Sequence, residues 1–176
     1  MTEGIPANLL AEQRAVEAQI REAFHGISRV GGISWSESDV VDNCGSEAEL
    51  AAANAQDTER CWEDLIDDPN WDVDGGFGGF SFLDPIGFAY YIAPAMVRSC
   101  RNGGGEPIVH ALTVNERFQK KLVSRLSARQ AQTIARFVRL MIAIHKSANG
   151  ETYGDAWQVA YQMYWRQWGT GDPLIG

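Results

Sequence analysis

The segment from Ser127 to Gly150 constrains the fold more than any other. Ser127-Ala128-Arg129-Gln130 is a capping-box pattern, and behind it Ile134, Phe137, Val138, Met141, Ile142 and His145 fall on one stripe at helical spacing. Arg129, Arg136, Arg139 and Lys146 lie away from that stripe, and Asn149-Gly150 ends the pattern. A long helix with one apolar stripe needs other elements to cover it. The chain offers them as further helices. Leu9, Val16, Ile20, Ala23 and Phe24 predict an amphipathic helix over 7–25, closed by Gly26. Ser34 to Val41 reads as a short helix. Ser46 with Glu49 caps another, expected to run through Trp62 to Ile66 with a break near Asp57, and Pro69 stops it. Asp84-Pro85 is an N-cap and first-turn pair for a helix carrying Phe88, Tyr91 and Ile92, which Pro94 is expected to kink or split.

The remaining segments are less regular. Phe80-Ser81-Phe82-Leu83 reads as a short strand or an apolar anchor, and Ile108 to Val114 as a short extended piece with partial alternation. Glu116 to Val123 is a short basic helix. The last helix, Tyr153 to Trp168, places Trp157, Tyr161, Tyr164, Trp165 and Trp168 near one face. Core packing is the ordinary role for such a face, with Trp165 and Trp168 at its distal end expected to be partly exposed. No repeat or linker divides the chain, and 176 residues that are 45% hydrophobic and 22% charged are enough for one self-sufficient core. The expected fold is mainly α: a compact single-domain helical fold over 1–176, with room for one short β-hairpin. A mobile acidic and glycine-rich loop is expected at about 67–79.

Charge narrows the function. Glu37 to Asp74 holds thirteen acids against one base, Arg60, whereas Arg98 to Lys146 holds ten bases against Glu106 and Glu116. Net charge is -8, which opposes nucleic acid as the main ligand. The acidic block either faces the basic one inside the fold, lies on a solvated face, or docks onto a cationic partner. Glu59/Glu63, Glu63/Asp67 and Asp64/Asp68 would be like-charge i,i+4 pairs on a helix, each costing ~0.2–0.5 kcal/mol. Such a cost favours a compensating partner or internal basic face.

Motifs for chemistry are weak. Asn70-Trp71-Asp72-Val73-Asp74-Gly75 resembles the start of a calcium loop, but position one is Asn70, and position twelve is Ser81 in place of the bidentate glutamate. Cys44, Cys61 and Cys100 with His25, His110 and His145 show no nucleophile or zinc spacing, and His145 on its apolar stripe reads as a hydrogen-bonded core residue. The glycine groups at 75–79 and 103–105 lack the context of a phosphate loop. Three cysteines without paired spacing, no run long enough to span a membrane and no secretory signal at Met1 to Pro6 lead us to expect a cytoplasmic protein.

Phe82-Leu83-Asp84-Pro85-Ile86-Gly87-Phe88-Ala89-Tyr90-Tyr91-Ile92-Ala93-Pro94-Ala95 resembles the core motif Phe-Leu-Asp-Pro-x-Gly-Phe-x-x-Tyr-x-x-Pro-Ala of a family of small, uncharacterised bacterial cytosolic proteins. The helix ending near Phe24, Trp62, and the Leu-Ser-x-x-Gln opening before Phe137 are similar too, so the resemblance spans about 10–145 and leaves out the aromatic tail. It implies no enzymatic activity or cofactor. It points instead to proteins of the immunity type that sit beside secreted bacterial toxins. Together with the charge layout, the expectation is a non-enzymatic, antitoxin-like protein whose acidic surface blocks the basic cleft of a toxin such as a nuclease. No metal, nucleic acid or membrane is expected as partner. The contact residues expected are Asp57, Glu59, Glu63, Asp64, Asp67, Asp68, Asp72 and Asp74, with Trp71 and Phe77 as apolar anchors. Two other readings stay open: a metal-dependent enzyme using the acidic loop, and a regulatory or scaffold protein that docks through the aromatic tail.

Overall fold

The computed structural model describes residues 6–73, 79–102, 105–114, 116–150 and 155–169. Its centre is the helix that the Asp84-Pro85 pair starts. Asp84 Oδ1 accepts from Gly87 N at 2.9 Å and from Ile33 N at 3.0 Å, which fixes the helix start and ties the 31–34 turn to it. Counting helices from the N-terminus, this is α4 (Pro85–Asn102), with twelve of its eighteen residues buried. A helix apolar on nearly every side belongs in the middle of a fold. It runs unbroken through Pro94, so the split, one of the two outcomes expected there, does not occur. Packing on all sides holds the helix together where proline removes one backbone donor.

Around it stand α1 (Ala7–Ala23), α2 (Trp35–Asp42), α3 (Glu47–Asn54), α5 (Glu106–Leu112), α6 (Arg117–Leu122), α7 (Ala128–Asn149) and α8 (Ala156–Met163), with single 3-10 turns at Trp62–Leu65, Gly79–Phe82, Val123–Arg125 and Trp165–Trp168. The fold is a compact helical one. α1 lies between α4 and α7, and α7 carries α8 and the turn after it. The stripe expected on α7 is buried from Ile134 to Ile142, and Ser127 accepts from Gln130 N as its cap. His145, at the stripe's end, is only partly covered. It lies edge-on to Trp157, with Nδ1 3.6 Å from Asp155 Oδ2, in place of the hydrogen-bonded core position expected.

Four segments depart from expectation. Ile108 to Leu112 is the helix α5 rather than an extended piece, because Pro107 starts a helical turn that the alternation did not reveal. No strand occurs among the described residues, and Phe80 and Leu83 anchor to the core from a 3-10 turn. The helix begun at Ser46 stops at Asn54, and 57–61 is irregular. The like-charge pairs therefore never stack on helical turns, and the cost reckoned for them does not arise. Finally, Trp165 is fully buried, with its Nε1–H donating to Leu112 O at 2.7 Å, while Tyr164 and Trp168 are partly buried against the core. Trp157 and Trp165 thus line the interior, and of the two residues expected to be partly exposed Trp168 is and Trp165 is not.

Candidate functional site

The acidic segment begins on α2, and several of its carboxylates serve the backbone. The start of α2 leaves N–H groups without helical partners. Glu37 Oε2 accepts from Ser34 N at 2.7 Å and from Asn54 Nδ2 at 2.8 Å, which joins the start of α2 to the end of α3. Asp57 reaches the same helix start, accepting from Ser36 N at 2.8 Å and Ser36 Oγ at 2.7 Å. A carboxylate there also meets the positive end of the helix dipole.

Glu59 turns inward. Its side chain is 6% exposed, and Oε1 accepts from Arg29 Nε at 2.7 Å and from the Tyr91 hydroxyl at 2.9 Å. Burial, then the charge of Glu59, pushes the Tyr91 hydroxyl far above its ordinary value, so it remains a donor. Arg29 also donates to the Asp57 carbonyl at 2.5 Å. Beyond this, Trp62 is fully buried, with its indole N–H on Phe24 O at 2.9 Å.

The next stretch is held by one side chain. Arg98 on α4 donates to the carbonyls of Leu65, Ile66 and Trp71 at 2.7 to 3.1 Å, and to that of Asp68. Its guanidinium lies 4.8 Å from the Trp71 ring centroid. Trp71 and Val73 are buried, so residues 67–73, part of the loop expected to be mobile, contact the core through these two side chains and through the carbonyls that Arg98 binds. The rest of the loop expected to be mobile, 74–78, lies outside the described residues together with Asp74 and Phe77.

These constraints leave a cleft of about 490 Å3 between the first turn of α2 and the 56–71 segment. Trp35, Asp57, Glu59, Asp64, Asp68 and Trp71 are among its walls. Trp35 packs edge-on to Trp71 at 5.3 Å and to Phe80 at 5.2 Å. A second hollow of about 440 Å3, between α2 and α3, shares Gln56 with the cleft and is walled by Val40, Ala52 and Ala53 with Asp39 and Glu49.

The residues expected to meet a partner therefore separate. Asp64, Asp67 and Asp72 are exposed, and Asp57, Glu63 and Asp68 are half-buried. Two others are turned inward. Glu59 faces Arg29 and Tyr91, and Trp71, 5% exposed, packs under Arg98 instead of standing out as an anchor. Sequence reasoning missed Trp35, Arg29 and Arg98. Trp35 follows the Gly31-Gly32 turn with nothing to mark it as a wall, Arg98 was only a member of a charge count, and Arg29 fell outside both charge blocks.

Among the described residues the basic block reaches this face through Arg98 and Arg101, and two of its other arginines turn to α1. Arg136 forks onto Glu12 at 2.7 and 3.0 Å, and Arg129 pairs with Glu22; both acids are on α1. Among the described residues Arg101 crosses over by ion pair, bridging Glu17 and Asp67 at 2.8 Å each. Among the described residues no group of three His, Cys, Asp or Glu side chains converges closely enough to hold a metal ion, and Asp74 and Gly75 of the calcium-like stretch lie outside them. Burial raises the Cys61 thiol and pushes Cys100 up to about 12, where it stays protonated and a poor nucleophile. No helix among the described residues is long and apolar enough to cross a membrane.

A model of a family of unknown function, DUF6714, matches residues 12–168. No curated protein and no solved structure matches the chain.

Proposed function

The chain belongs to the DUF6714 family, and we propose that it is a non-enzymatic binding protein of the immunity type. In this reading it acts in a bacterial cytoplasm and neutralises a toxin effector by setting its acidic face into a basic active-site cleft, such as that of a nuclease. One observation supports the reading: α7 sets Arg129 and Arg136 on acids of α1, and among the described residues only Glu59, Asp64 and Asp67 of the acidic block make ion pairs. Its carboxylates instead cap helix starts and turns, and Asp64, Asp67 and Asp72 stay exposed. Such a face steers association with a basic surface and occupies the place of a phosphate substrate. No observation favours the metal-dependent enzyme, and Trp157 and Trp165 of the tail are buried in the core, which gives the scaffold reading less support.

The test is charge reversal. Replacing Glu63, Asp64, Asp67 and Asp68 together by Lys should abolish capture of the toxin and protection of a cell that expresses it, with circular dichroism confirming the fold. Undiminished capture by the folded variant would overturn the acidic contact.

A further inference from the structure

We infer that the cleft between the start of α2 and the 56–71 segment is a receptor for one arginine side chain displayed on the partner. The inference names the partner chemistry of the acidic face and rests on the proposed function for who carries that arginine. Four carboxylates surround the cleft, and they are not equivalent. Glu59 is matched by Arg29, and Asp64 has only Arg60, 3.6 Å away on an 89% exposed side chain. Asp57 and Asp68 bond to Ser36 and Asn70, and neither makes an ion pair among the described residues. The cleft is therefore anionic on balance.

Its chemistry selects among cations. The carboxylates are spread around a volume of about 490 Å3 and do not converge on a point as a metal ion requires. A long organic cation fits such a volume. The Trp71 ring is already covered by Arg98, but the half-buried Trp35 favours a planar cation that stacks, and separated acceptors favour one with several donors, which together describe a guanidinium more than an ammonium. A second feature points to a ligand with a backbone. Trp71 lines the cleft, is 5% exposed, and its indole N–H has no hydrogen-bond partner among the described residues. A buried donor left unmade costs ~1–3 kcal/mol, and a peptide carbonyl would satisfy it. An arginine on a peptide supplies both the cation and that acceptor.

The test uses the full chain and two small probes. Nα-acetyl-arginine amide and its neutral isostere Nα-acetyl-citrulline amide are titrated while the indole N–H resonances are followed. The arginine probe should shift the Trp35 and Trp71 signals saturably and leave Trp62 and Trp165, buried elsewhere, in place. Citrulline should bind at least about fivefold more weakly, and Asp64→Asn with Asp68→Asn should weaken the arginine probe by a similar factor. Equal binding of the two probes, no shift at Trp35 and Trp71, or an unaffected double variant would overturn the inference. The two proposals fail separately. Arginine binding without toxin capture removes the toxin and keeps the cleft, whereas toxin capture that survives the double variant removes the cleft and keeps the toxin.

Discussion

Arg98 shows how little a residue's charge says about its work. It was one of ten bases in a block, yet its guanidinium ends on the carbonyls of the acidic segment, which a short 3-10 turn and the loop after it leave without helical partners. Arg98→Met keeps the stem and loses the donors, and urea denaturation should show a loss of ~2–4 kcal/mol. Arg98→Lys should restore only part of it, because an ammonium cannot fork across four carbonyls. Gly87 is the opposite case, legible from its place in the Asp-Pro-x-Gly motif. A Cβ there would come within 2.3 Å of the Ile33 carbonyl oxygen, so Gly87→Ala should cost ~1–3 kcal/mol in the same assay through forced backbone shifts.

At the level of elements, capping and periodicity were readable where they were strong. α1, α2, α4 and α7 all start or end within a few residues of their sequence signals. α5 was not, because a short run of Ile, Val, Ala and Leu fits a strand and a buried helical turn equally well. The break after α8 was also hidden. Tyr164 leaves helical geometry at φ -141°, ψ -48°, and that turn lets Trp165 reach the Leu112 carbonyl. The tail is consequently a structural part of the core. A chain cut after Gly150 should lose cooperative unfolding and dispersed amide resonances, and Trp165→Ala in the full chain should cost ~3–5 kcal/mol. A folded truncated chain would show the tail to be an appendage.

For the molecule as a whole, the charge blocks were legible and their pairing was not, since sequence distance does not reveal that α7 lies on α1. The acids have a shared consequence for pH. Burial pushes Glu17 and Glu37 up, but hydrogen bonds from Arg101 and Arg21 to the one, and from Ser34 N–H and Asn54 to the other, hold both below the ordinary carboxylate range. Backbone N–H groups of Ser46 and Arg60 hold Glu49 and Asp64 low as well. In each case the folded state binds fewer protons than the unfolded one, so the contribution is present above the unfolded value and fades as pH drops through the folded one. The melting temperature should therefore be flat near neutrality and fall steeply below about pH 4. A melting temperature that rises on acidification would mean that carboxylate repulsion, not capping, dominates.

The α3 helix packs chiefly on α2, and of its residues only Ala53 is buried. Its outward positions can therefore drift between lineages with almost no penalty to the rest of the molecule. An alignment of family members should show rapid turnover at Glu47, Ala48 and Ala51 beside a nearly frozen Phe88 to Val97. Selection could in this way retune recognition on a scaffold it never has to rebuild.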